Sequence, residues 1–84
     1  METLPIINRT YEAYKTIADI NNHIEKRWRY SLGQELEKRI LNCMSELIMA
    51  KNAPKPMKSA YLIRAGSHQE IAILQLRLFL ELKI

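Results

Sequence analysis

Leu76-Arg77-Leu78-Phe79-Leu80-Glu81-Leu82-Lys83-Ile84 is the stretch that decides the fold class. Leu76, Leu78, Leu80, Leu82 and Ile84 alternate with Arg77, Phe79, Glu81 and Lys83, the period of a half-buried strand. Two features oppose a strand. No second segment carries a strand pattern for it to pair with, and Leu, Glu, Lys and Arg are helix formers rather than β-branched residues. A helix is therefore predicted over 68–83, and the chain becomes all-α. A leucine-rich helix that is apolar on more than one side must be covered on more than one side. Only two other long helical segments are available to cover it, so either another chain supplies the remaining cover or this is a shortened member of a longer-chain family.

Upstream, Gly66 and the capping pattern Ser67-x-x-Glu70 predict a break that separates this helix from a short one over 57–65. Further upstream, Asn52-Ala53-Pro54-Lys55-Pro56 is the clearest punctuation, because two prolines one residue apart disfavour helical continuation. The helix that ends there spans about 29–52. Leu32, Leu36, Ile40, Cys43, Leu47 and Ala50 form its main apolar stripe, with Leu41, Met44 and Ile48 beside it, and Ser31 with Gln34 is a candidate capping box.

The first helix is predicted over about 4–24, with Thr3 as N-cap and Pro5 in its first turn. Leu4, Ile7, Tyr11, Tyr14 and Ala18 form one stripe, and Ile6, Ala13, Ile17, Ile20 and Ile24 form an adjacent one. Three long helices joined by short connections predict an up-down bundle with antiparallel neighbours, all within one domain.

Composition narrows the function. An 84-residue chain buries only roughly 60–65% of the surface its unfolded form exposes, so its own core is marginal. Lys and Arg outnumber Asp and Glu by 13 to 9, a net charge of +4, which favours polyanionic partners. A single cysteine, Cys43, makes no internal disulfide, and neither a signal-peptide pattern nor a membrane-length apolar run is present, so a cytoplasmic location is expected and membrane insertion is not. His23 and His68 have no second ligand at helical spacing, so no metal is expected. With no nucleophile–base set and no phosphate-cradling glycine loop, neither enzymatic activity nor a cofactor is expected.

The order of features resembles the Avd-like four-helix-bundle family. Its members are the accessory variability determinants of diversity-generating retroelements and relatives encoded in ribosomal-RNA intervening sequences. The residues that carry the likeness are Tyr11 and Tyr14, Arg29-Tyr30-Ser31-Leu32-Gly33, Leu36, Ile40-Leu41, Glu46-Leu47-Ile48 and Ala50, with Leu76-Arg77-Leu78 and Leu82-Lys83 near the end. The likeness spans most of the chain. It implies a homo-oligomer, a pentameric barrel, whose basic surfaces bind RNA or DNA and a reverse transcriptase. The family's fourth helix would follow Ile84, so this chain is read as three-quarters of the bundle.

Candidate sites follow the charges and the stripes. Lys26, Arg27, Trp28, Arg29 and Tyr30 form the densest basic-aromatic cluster, and cations beside flat rings suit phosphate contacts and base stacking. An alternative is that Trp28 and Tyr30 staple the interhelix corner while the cations stay solvated. Lys38, Arg39, Lys51, Lys55 and Lys58 extend the candidate nucleic-acid surface, diluted by Glu35, Glu37 and Glu46. Tyr11, Tyr14, Leu76, Phe79 and Leu80 are the candidate contacts to another copy. The competing reading makes the protein a structural or interaction bundle that does not bind nucleic acid.

Overall fold

The computed structural model describes residues 5–82 and is all-α, with no strand among the described residues. α1 spans Pro5–Asn21, α2 Lys26–Trp28, α3 Gln34–Asn52 and α4 Lys55–Leu82. Arg29–Gly33 is a π turn that joins α2 directly to α3, so the second predicted helix is one helical run with a bulge near its start. The expected N-cap Thr3, Leu4 of the first stripe, and Lys83 and Ile84 lie outside the described residues.

Contacts between α3 and α4 hold their residue numbers at a nearly constant sum. Arg39 meets His68, Cys43 meets Ala65, and Lys58 meets Ala50. A constant sum means antiparallel helices. α4 turns Ala65, Ala72 and Phe79 inward, one every seven residues, against the Leu36, Ile40, Cys43, Leu47 and Ala50 stripe of α3. That spacing is the 3-4 packing of a coiled-coil-like seam. α1 packs on a different side of α3, also antiparallel, and α1 and α4 make little contact with each other. Two apolar clusters result: Ile17, Leu36, Ile40, Ala72 and Phe79 near one end, and Ile7, Cys43, Leu47 and Ala65 near the other. The molecule is a slab of 43 × 22 × 17 Å with α3 as its spine.

Three sequence expectations are corrected. No break occurs at Gly66: α4 runs unbroken through it, and the Ser67–Glu70 capping box does not form. The seam against α3 crosses this position, with Ala65 and His68 both engaged, and that packing outweighs the roughly 1 kcal/mol helix penalty of one glycine. The helix expected over 57–65 begins at Lys55 instead, as the start of α4, because Pro56 sits in the first turn, where a missing N–H is no loss; the Met57 N–H donates to the Pro54 carbonyl at 2.9 Å.

The first helix stops at Asn21, not 24. Its last turn is closed by side chains: the Arg29 Nε donates to the Asn21 carbonyl at 2.8 Å, and its Nη2 donates to the carbonyls of Asn22 at 3.1 Å and Ile24 at 3.3 Å. One guanidinium thus takes the last carbonyl of α1 and two carbonyls of the connection that follows it. Ile24 folds back against the core cluster of Ile17 and Leu36.

Candidate nucleic-acid interface

The predicted basic residues divide into spent and free. Arg29 is committed to the end of α1, as above. Lys58 does the same for α3, its Nζ donating to the Ala50 carbonyl at 3.0 Å and the Lys51 carbonyl at 3.2 Å. Arg39 is half-buried in the α3–α4 seam, with Nη1 2.9 Å from His68 Nδ1. The free cations are Lys26, Arg27, Lys38 and Lys55, all exposed, with Lys51 half-buried. Arg27 lies over the Trp28 ring at 4.6 Å and pairs loosely with Glu25 at 3.4 Å in full solvent. Such an exposed pair leaves the guanidinium available to an anion.

These cations do not form one stripe. Lys26 and Arg27 sit at the π-turn end of α3, and Lys51 and Lys55 at the other end, roughly 28 Å away along a 19-residue helix. Lys38 and Lys51 are thirteen residues apart in sequence, which places them about 140° apart around the α3 axis. The structure therefore places Lys26, Arg27 and Lys38 toward the π-turn end of α3 and Lys51, Lys55 and the spent Lys58 toward the other end.

At the π turn lies a cleft of about 480 Å³, and its lining includes Tyr14, Asn22, Tyr30, Gln34, Glu37 and Lys38. Tyr30 stands at 62% exposure while Leu36, two helical steps on, is almost completely buried. Six residues before Leu36, Tyr30 lies off the buried stripe of α3 by helical spacing, and the wider π turn adds to that offset. Trp28 is half-buried, so of the two rings expected to staple the corner only Trp28 is drawn in.

Behind the cleft, Asn21 is the one buried polar side chain in the core of the described residues. Its Nδ2 donates to the Gly33 carbonyl at 2.9 Å and to the Glu37 Oε2 at 2.6 Å. Both acceptors fix the amide's orientation and tie α1 to the π turn and to α3. Sequence reasoning missed Asn21, Gln34 and Glu37. The available signal was a polar residue four positions after Ile17 and fourteen after Ile7, on an otherwise apolar helical stripe.

Among the described residues no three metal-ligating side chains come together, and no helix is long and apolar enough to cross a membrane. No family model, curated protein or solved structure matches the chain.

The expected oligomer contacts are also sorted by the fold. Phe79 is corrected: its ring is buried inside the chain with Ile17, Leu36 and Ala72 and is not free for a neighbour. Tyr14 packs against the same cluster and is half-buried. Tyr11, Leu76 and Leu80 remain exposed, Leu80 at 79%. Leu76 and Leu80 belong to a larger apolar surface. Between α1 and α4, floored by α3, run two clefts, one lined by Ile6, Ala13, Leu47 and Leu62 and the other by Ile17, Ile20, Leu76 and Leu80. On the outer side of α4, Ile63, Ile71, Leu74, Leu78 and Leu82 are exposed as well. Expecting α4 to be apolar on more than one side matches where these side chains lie.

Proposed function

We propose that this chain is a non-enzymatic accessory protein of the cytoplasm that assembles into a homo-oligomer and binds nucleic acid, a reverse transcriptase, or both, as the Avd-like resemblance implies. The observation that carries the assembly half is the open groove between α1 and α4. α3 packs on both, yet Ile6, Ile20, Leu62, Leu76 and Leu80 are left in water along the groove. Fully burying an exposed side chain of this kind gains about 1.5–3 kcal/mol; Leu80 has most of that gain left and the other four, already partly covered, have about half of it, so covering them together drives association. The groove is where a further helix of a four-helix bundle would lie, in keeping with the resemblance. Five copies is the number that the resemblance implies.

Free cations at Lys26, Arg27 and Lys38 support the nucleic-acid half, with Lys51 and Lys55 as a second patch. The test is retention of the purified chain by single-stranded RNA and duplex DNA over a salt series. Retention that falls steeply with salt is expected. No retention at low salt would favour a second reading, a structural or interaction bundle without nucleic acid. One observation favours that reading: Arg29, Arg39 and Lys58 are engaged within the chain.

A further inference from the structure

We propose that the cleft at the π turn holds one unpaired nucleobase of a single-stranded nucleic acid, with guanine preferred. This rests on the nucleic-acid reading above and adds to it a strand type and a base.

Tyr30 is the platform. An exposed tyrosine ring at the mouth of a cleft is available to a flat ligand, and base–aromatic stacking is the usual way single strands are held without duplex geometry. A π turn is also a frequent mark of a functional site.

Glu37 is the reader. Its Oε2 accepts from the Asn21 amide at 2.6 Å, and Oε1 has no hydrogen-bond partner among the described residues. A carboxylate oxygen only accepts, so the base edge that meets it must donate. Guanine alone carries two adjacent donors, N1–H and the N2 amino group, on its Watson–Crick edge; cytosine and adenine offer an amino group next to an acceptor, and uracil an N–H between two acceptors. That edge is occupied in a duplex, so the base must be unpaired. Asn21 holds the carboxylate in place from a buried position, so the reader is oriented before the ligand arrives.

Lys38 supplies the cation. It lines the same cleft beside Glu37 in sequence and is exposed. A phosphate is drawn toward Lys38 and repelled by Glu37, which fixes the direction in which a nucleotide lies. The cleft's volume is within the range of small-ligand sites, about 300–1,000 Å³.

The experiment titrates the full-length, isotope-labelled chain with GMP, AMP, CMP, UMP and inorganic phosphate, following the amide signals of Tyr30, Glu37 and Lys38. GMP is expected to bind several-fold more tightly than the other three nucleotides, and phosphate far more weakly. Tyr30→Ala, at an exposed position, is expected to weaken GMP binding by about tenfold, the loss that removing a stacking ring causes. Glu37→Gln keeps an oxygen for Asn21 and is expected to abolish the preference for guanine. Equal binding of all five ligands, or GMP binding indifferent to Tyr30→Ala, would overturn the proposal. So would a Tyr30→Ala chain whose assembly changes while GMP binding does not, because the cleft would then be a protein contact. Salt-dependent retention by single-stranded RNA with no base preference overturns this inference and leaves the nucleic-acid reading standing; loss of all retention overturns that reading itself.

Discussion

Asn21 and Gly33 are fitted to each other without slack. The Asn21 amide donates to the Gly33 carbonyl at 2.9 Å, and a Cβ on Gly33 would stand 2.5 Å from Asn21 Oδ1 and 3.1 Å from the Trp28 carbonyl. Glycine suits the position because the buried Asn21 side chain already fills the space that a Cβ would take.

Gly33→Ala is expected to destabilise the chain by about 1–3 kcal/mol, as overpacking in a closed site does. Asn21→Ala costs a similar amount, about 1–3 kcal/mol, since it leaves the Gly33 carbonyl and the Glu37 carboxylate without their donor. Asn21→Ala also removes the atom that Gly33→Ala collides with. The double variant should therefore be less unstable than the two single losses added together, which denaturant unfolding of the three variants measures.

Gly66 predicts the opposite sign. A Cβ there meets nothing within 4 Å, and the position lies in an unbroken helix. Gly66→Ala is expected to stabilise by about 0.5–1 kcal/mol and to raise Tm. A fall in Tm would mean that the helix breaks at 66 after all.

Those two glycines show how far the sequence could be read. Apolar spacing placed α1, α3 and α4 to within a few residues, and helix propensity settled the alternating leucines from Leu76 to Leu82 correctly. Gly66 misled because a glycine followed by a capping pattern is local chemistry, whereas the α3–α4 seam that overrides it is tertiary. The π turn at Arg29–Gly33 was likewise invisible: the bonds that accompany it, from Asn21 to Gly33 and from Arg29 to Asn21, join residues twelve and eight apart in the chain. At the candidate site, the abundance of cations was legible and their availability was not. Which of Arg29, Arg39 and Lys58 would be spent on carbonyls or on an imidazole depends on where helices end and pack.

Arg29 and Arg27 are adjacent in type and expected to differ in consequence. Arg29→Gln should cost about 1.5–3 kcal/mol, because the last carbonyl of α1 and the Asn22 and Ile24 carbonyls beyond it lose a charged donor. Lys26→Gln with Arg27→Gln should leave the unfolding midpoint unchanged and reduce the salt slope of nucleic-acid binding by about one to two. Thermal melts and salt-dependent binding of the two variants separate the roles.

Cys43 sets a pH dependence. Its thiol is buried, donates from Sγ to the Ala65 carbonyl at 3.4 Å, and is pushed above its ordinary value of 9.0 by desolvation. Below pH 9 the thiol is protonated in the folded and unfolded chains alike, and its burial stabilises fully. Above that the unfolded chain ionises first, so it holds fewer protons and stability falls as pH rises toward the folded value. Urea midpoints should therefore drop above pH 9 in the parent chain and drop less in Cys43→Ala. At neutral pH a maleimide should label the folded chain slowly and the urea-unfolded chain quickly.

The groove between α1 and α4 is expected to be covered by other copies of the chain. Sedimentation equilibrium of the full chain in dilute low-salt buffer tests it, with Leu62→Lys/Leu80→Lys as the variant that places charge in the groove. The expected result is a mass that is a multiple of 9.9 kDa for the parent chain and 9.9 kDa for the variant, both with the same helical circular dichroism. A parent chain that sediments at 9.9 kDa across micromolar concentrations would contradict it.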